Sequence, residues 1–249
     1  MRPAPVTRRS FRHQGTGVVL VAHGSRDPRA AASTSALAEA LADAHPEWEV
    51  HASYLDHAGP RPLDVLRWLA RSGHERAIVV PLLLTAAYHG KVDVPAVLDE
   101  ARDLPIDVRL ADVLGPVSDL LVDGLIRRLP TVDLDAVVLS AAGTRDPAAR
   151  ATVEQAALAL GARLGLPCTV AYASAAPPMP GDAVRASGAA RVGVASYFLA
   201  PGLLYDKAVS SAISAGAIAV APPLGDAPEV VALIAYRVAA AMPGQLRAA

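Results

Sequence analysis

Apolar positions along the chain cluster into short runs, with longer stretches of helical period between them. Ala77–Leu84 and Arg191–Leu199 are unbroken apolar runs, the pattern of strands buried on both faces of a parallel sheet. Trp48–Leu55 and Cys168–Ser174 read as further strands, each passing through a tyrosine (Tyr54, Tyr172) into a proline-containing loop. Ala-rich helical stretches are predicted at Arg29–Ala44 and Ala148–Leu164. Amphipathic helices are predicted at Val117–Arg128 and Pro228–Ala241, each after a Leu-Gly pair (Leu114-Gly115, Leu224-Gly225). Strands alternating with helices imply βαβ units and a parallel sheet covered on both faces.

The pattern occurs twice. Val18-Val19-Leu20-Val21-Ala22-His23-Gly24-Ser25-Arg26-Asp27-Pro28 is echoed by Val137-Val138-Leu139-Ser140-Ala141-Ala142-Gly143-Thr144-Arg145-Asp146-Pro147. In both copies the Asp stands where a helix N-cap belongs and the Pro where a first helical residue belongs, so each reads strand, tight Gly turn, capped helix. The predicted fold class is therefore α/β: two tandem flavodoxin-like domains with parallel sheets, duplicated within one chain, at residues 15–129 and 134–243 with Leu129–Asp133 as linker. Residues 1–14 hold four arginines and two prolines but no apolar stretch, and read as a flexible arm rather than a secretory signal.

Composition removes several function classes. The chain has 249 residues and a formal charge of −1, against the basic excess that a nucleic-acid face needs. One cysteine, Cys168, excludes a disulfide framework and a Cys-rich metal site. No segment reaches the ~20 apolar residues of a membrane span. A cytoplasmic protein that binds neither nucleic acid nor membrane is expected.

The two copies share a framework and differ in chemistry. All seven histidines lie within the first 89 residues. The counterpart of His23 is Ala142, and that of His89 is Leu204. A fold that needed these imidazoles for packing should need them twice, which favours function for His23 and His89. Both follow strands at the end of a parallel sheet where ligands bind. The remaining histidines (13, 45, 51, 57 and 74) have surface-like contexts and read as solvated or locally bonded. Two imidazoles without a nearby cysteine would make an open site suited to Co²⁺, Fe²⁺, Ni²⁺ or Zn²⁺, able to hand metal over rather than store it.

The turn Gly24-Ser25-Arg26 offers backbone N–H groups at a helix N-terminus, a ready anion site. With Arg29 and Lys91 it forms a candidate cationic rim for a ligand bearing several carboxylates, and Tyr88 flanks His89. No Gly-x-x-x-x-Gly-Lys-Ser/Thr or Gly-x-Ser-x-Gly occurs, so neither a nucleotide loop nor a nucleophile elbow is expected. A histidine phosphatase would want an Arg-His-Gly order, whereas Ala22 precedes His23 here.

Val-Ala-His-Gly-Ser-Arg-Asp-Pro at 21–28, then Tyr54-Leu55-Asp56-His57-Ala58-Gly59-Pro60, then Pro81 to Pro95 with Ala-Ala-Tyr-His-Gly-Lys at 86–91, resembles the CbiX/SirB sirohydrochlorin chelatases in their two-domain form. The resemblance covers nearly the whole chain. It implies a chelatase-like, three-layer fold for each half and insertion of a divalent metal, Fe²⁺ or Co²⁺, into sirohydrochlorin. The reaction needs no ATP and no organic cofactor, and serves sirohaem or cobalamin synthesis. The family's active-site histidines carry over to His23 and His89 as metal ligands and catalytic groups. Gly24, Ser25, Arg26, Tyr88 and Lys91 are then candidate substrate contacts, and Tyr197, Phe198 and Leu203 candidate apolar contacts from the second half. Imidazoles, with a reference pKa of ~6.5, could accept the ring protons that metal insertion displaces. A monomer is expected, since two copies in one chain can form a cleft. The alternatives are a non-catalytic metal or tetrapyrrole carrier and a nickel-inserting member of the same family.

Overall fold

The computed structural model of the chain describes residues 15–85 and 96–242. The first half begins β1(Thr16–Ala22), α1(Pro28–Ala44), β2(Trp48–Tyr54), α2(Pro62–Arg71) and β3(Arg76–Pro81). A helical stretch over residues 96–101 (α3), β4(Asp107–Leu110) and α4(Asp119–Arg128) complete it. The second half runs β5(Ala136–Ala141), α5(Pro147–Leu164), β6(Cys168–Tyr172), α6(Pro180–Ala186), β7(Val192–Tyr197), α7(Leu203–Ser214), β8(Ala219–Val220) and α8(Pro228–Ala241). The sheets have the orders β2-β1-β3-β4 and β6-β5-β7-β8, all parallel. The chain is thus an α/β fold duplicated within itself.

The duplication reaches the backbone of the turns. Asp27 and Asp146 cap α1 and α5 by accepting the N–H groups of Arg29 and Ala148, and Pro28 and Pro147 occupy the first helical positions. The Ser25 and Thr144 hydroxyl oxygens accept the N–H of Asp27 and Asp146, both at 3.1 Å. The central strands β5 and β7 are buried at every position, as unbroken apolar runs should be.

Packing ties the halves together. On the outer face of the first sheet, Val65, Leu66 and Leu69 of α2 cover Val19, Val21, Ala77 and Val79. On the outer face of the second, Val184 of α6 and Ala212 of α7 cover Val138 and Val194. The two inner faces belong to one continuous core, with α1, α4, α5 and α8 between them. The closing helices are exchanged: α4 packs against α5 and β7, and α8 against α1 and β3. Gly124 of α4 lies close to the start of α8, where an added Cβ would meet Leu224 Cδ2 at 3.2 Å and Glu229 Cβ at 3.5 Å. Arg128 donates to the Leu224 carbonyl at 2.8 and 3.1 Å and to Asp226 at 2.8 Å, and Arg127 pairs with Glu229 at 2.6 Å. Among the described residues no helix is long and apolar enough to cross a membrane.

Candidate functional site

In both sheets the strand order changes direction at the centre, between β1 and β3 in the first and between β5 and β7 in the second. Open parallel sheets bind ligands just beyond the carboxyl ends of strands at such a switch point. His23 follows β1 there, and the segment 82–85 leaves β3 beside it, with the Leu82 N–H donating to the Val21 carbonyl at 2.9 Å. His89, Tyr88 and Lys91, together with His13, lie outside the described residues.

The turn after β1 is held against the end of β2. Leu55 N–H donates to the Ala22 carbonyl at 3.0 Å and Asp56 N–H to the His23 carbonyl at 2.9 Å. Gly24 permits this: its φ is +94°, and a Cβ would lie 1.8 Å from the Asp56 carbonyl oxygen. Asp56 is thereby placed beside His23, which the distance in sequence hides. Its carboxyl is held below the usual carboxylate range, chiefly by the His57 N–H at 2.8 Å. Desolvation opposes this, and the charges of His57, Arg61 and His23 reinforce it.

His57 also belongs to this site rather than to bulk solvent. With φ +61° it turns into a cavity of about 420 Å³ that is lined by His23, Gly24, Ser25, Arg26 and Leu203. Its Nε2 lies 3.5 Å from Asp56 Oδ2. A second cavity of about 210 Å³ continues from His23 and Gly24 to Leu82 and to Leu199–Pro201 of the other half. The first turn of α7 meets the same space with no side-chain cap, so the positive ends of α1 and α7 both approach the His23 turn.

Other expectations resolve differently. Arg29 is not part of a free cationic rim, because its guanidinium joins Asp27 to Asp206, each at 2.5 Å, and so spans the two halves. Arg26 stays exposed on the cavity wall, and Leu203 is 80% exposed beside His23. Tyr197 and Phe198 are buried; both line a third and larger cavity, and the Tyr197 hydroxyl donates to the Leu84 carbonyl at 3.2 Å. His45 stacks on Trp48, His51 packs edge-on to Trp68, and His74 is buried near Trp68, so these three are packing residues. Burial pushes the Cys168 thiol up to about 11, which disfavours the thiolate.

Position by position, the second copy keeps this backbone and drops the chemistry. Gly143 has φ +101°, and a Cβ there would lie 1.9 Å from the Ser174 carbonyl oxygen. The Ala173 N–H donates to the Ala141 carbonyl as Leu55 does to Ala22. Ala142 stands for His23, Ser174 for Asp56, and Ala175, at φ +65°, for His57. All three differences fall on the turn after β1 and the loop bonded to it after β2. Asp56 and His57 escape a comparison of the copies confined to His23 and His89; the same comparison extended through the loop after β2 finds them. Among the described residues no three His, Cys, Asp or Glu side chains are gathered as a closed metal cage.

A duplicated parallel α/β fold, with a histidine and a carboxylate at the switch point of one copy only, defines a two-lobed cleft protein with a single chemically equipped lobe. The profile of the CbiX family matches residues 17–131 and again 136–241, and the chain belongs to that family. It is 28% identical over 82 residues to a sirohydrochlorin cobaltochelatase of Methanococcoides burtonii, a match covering 33% of this chain and 63% of the relative. The chain thus spans less than two thirds of that relative's length. A structure of SirB from Bacillus subtilis with Fe³⁺ superposes with a TM-score of 0.77 at 22% identity, over 90% of this chain and 94% of SirB. The sirohydrochlorin chelatase SirB from Bacillus subtilis subspecies spizizenii in complex with cobalt gives 0.74 at 22% identity, over the same shares. At these identities the likeness establishes the fold.

Proposed function

We propose that the chain is a cytoplasmic sirohydrochlorin chelatase that inserts Fe²⁺ or Co²⁺ into the metal-free macrocycle without ATP. The reading rests on family membership and, above all, on one observation: His23 and His57 line a crevice, Asp56 is bonded to the His23 turn, and the repeat-related positions carry Ala142, Ser174 and Ala175 on the same backbone. Side chains needed for folding would recur; these do not.

In this reading the macrocycle enters the cleft with its apolar face toward Leu203 and its acidic side chains toward Arg26 and the N–H groups of the Gly24–Ser25 turn. His23 receives the metal and takes up a proton as the inner N–H groups of the ring are lost. The reaction is a balanced exchange, with both inner protons leaving and one divalent cation entering. Asp56, held ionised, supplies negative charge that favours the cation at His23 and stabilises the imidazolium after proton transfer. An imidazole and a carboxylate in an open site bind borderline divalent metals and leave positions vacant for the ring nitrogens. His89 is assigned the role of second metal ligand and base, and Tyr88 and Lys91 that of substrate contacts.

The test is an anaerobic absorbance assay of sirohydrochlorin with Co²⁺ and, separately, Fe²⁺. Protein-dependent loss of the free-base spectrum, catalytic in protein, is expected with at least one metal, and the ratio of rates gives the preference. Stoichiometric binding with no acceleration over spontaneous insertion would instead make the protein a carrier.

A further inference from the structure

The reaction described so far leaves His57 without a part. Its ring lines the same cavity of about 420 Å³ as His23, and the residue is exposed there rather than packed. The turn itself does not require an imidazole. Ala175 holds the equivalent position at φ +65°, against +61° for His57, so the left-handed backbone forms with a methyl group alone. The two turns are also bonded alike: the Ala58 N–H donates to the Asp56 carbonyl at 2.7 Å, and the Ala176 N–H to the Ser174 carbonyl at 2.8 Å. The imidazole is surplus to the fold, in a conformation that histidine adopts more readily than most side chains.

The surroundings of the ring suit a metal ligand. Asp56 Oδ2 lies 3.5 Å from Nε2, and a carboxylate there favours the tautomer protonated at that nitrogen. Nδ1 then keeps its lone pair, the arrangement in which a ligating histidine turns its other nitrogen to a carboxylate. Arg61 approaches the other carboxylate oxygen, Oδ1, at 3.8 Å, which leaves Oδ2 to the imidazole. His23 borders both cavities of the crevice, whereas His57 borders the first. His57 therefore meets a cation arriving through the first cavity, and His23 stands where that cavity continues between the halves. With no closed cage of three ligands among the described residues, imidazoles on one open cavity hold a borderline cation loosely enough to release it.

We infer that His57 is a metal-loading ligand, taking up the divalent substrate cation in the open crevice and passing it to His23. This rests on the chelatase reading and adds to it the step by which metal is acquired. Coordinated water leaves as the imidazole nitrogen binds, and no electron is transferred. A nitrogen donor here also favours Co²⁺ or Fe²⁺ over Mg²⁺, which prefers oxygen.

The experiment compares wild type with His57→Ala in two measurements. The first is calorimetric titration with Co²⁺ alone, and the second is the rate of Co²⁺ insertion into sirohydrochlorin as a function of metal concentration. Ala175 shows that the turn accommodates alanine, and the main-chain N–H that residue 57 gives to Asp56 survives the substitution, so the variant reports on the ring. His57→Ala is expected to weaken Co²⁺ binding by at least about tenfold, the loss that follows even from removing a group that only orients a ligand. The metal concentration for half-maximal rate should rise by a similar factor, with a much smaller fall in the maximal rate. Insertion by both proteins with equal Co²⁺ affinity and equal half-saturating metal overturns the inference alone. So does a collapse of the maximal rate at unchanged half-saturating metal, which would place the ring in catalysis. Wild type that binds Co²⁺ but never accelerates insertion overturns the chelatase reading, and the loading role with it.

Discussion

At the scale of single residues, the site depends on a backbone contact that only glycine allows. The left-handed φ of Gly24 and the approach of its Cα to the Asp56 carbonyl bring a carboxylate from the loop after β2 alongside an imidazole from the turn after β1. Gly24→Ala therefore combines an unfavourable φ with a Cβ inside van der Waals distance of a carbonyl oxygen. It is expected to cost about 2–4 kcal/mol of stability, measured by urea unfolding. Gly143→Ala, with φ +101° and the same clash at 1.9 Å, should cost a similar amount. A loss at Gly24 with none at Gly143 would contradict the equivalence of the two turns. The capped Gly turns and the asymmetry of His23 are readable in the sequence, because both are local. Asp56 and His57 are not readable there as neighbours of His23, because their proximity arises from the parallel pairing of β1 with β2, Ala22 opposite Tyr54. Arg29 reads as a free cation for a similar reason. Its second partner, Asp206, lies on α7 of the other half.

At the scale of elements, the alternation of apolar runs with Ala-rich periodic stretches is enough to order the strands and helices of each half. The helix at Pro228–Ala241 has the expected bounds, while the one expected at Val117–Arg128 begins two residues later, at Asp119, where Ser118 caps α4 through the Leu121 N–H. The destination of the closing helices is not legible. An amphipathic face states that it is buried but not against which sheet, and here α4 and α8 each cover the sheet of the opposite half. Arg128 is central to this exchange, satisfying the carbonyl of the fully buried Leu224. Arg128→Met keeps the apolar stem but removes both guanidinium donors to that carbonyl, leaving it the Ala227 N–H at 3.0 Å, and removes the ion pair with Asp226. A loss of about 1–3 kcal/mol is expected in chemical denaturation, against less than about 0.5 kcal/mol for the exposed Arg102→Met.

At the scale of the whole molecule, two copies of one framework enclose a cleft in which, on the proposed reading, only the first copy carries metal chemistry. Shared inner core, exchanged helices and the Arg29 bridge hold the copies in register, so that the His23 crevice is walled by residues from both. On that reading the division of labour, with metal handling in the first turn alone, follows from comparing equivalent backbone positions. It places the central claim on one side chain. The most direct measurement is the rate of metal insertion into sirohydrochlorin by wild type and His23→Ala under anaerobic conditions, with thermal unfolding recorded for both. Because Ala142 occupies the equivalent position, His23→Ala should unfold as wild type does while losing at least about a hundredfold in rate, the usual worth of a positioned acid–base group. A variant equally folded and nearly as fast would show that the metal is handled elsewhere.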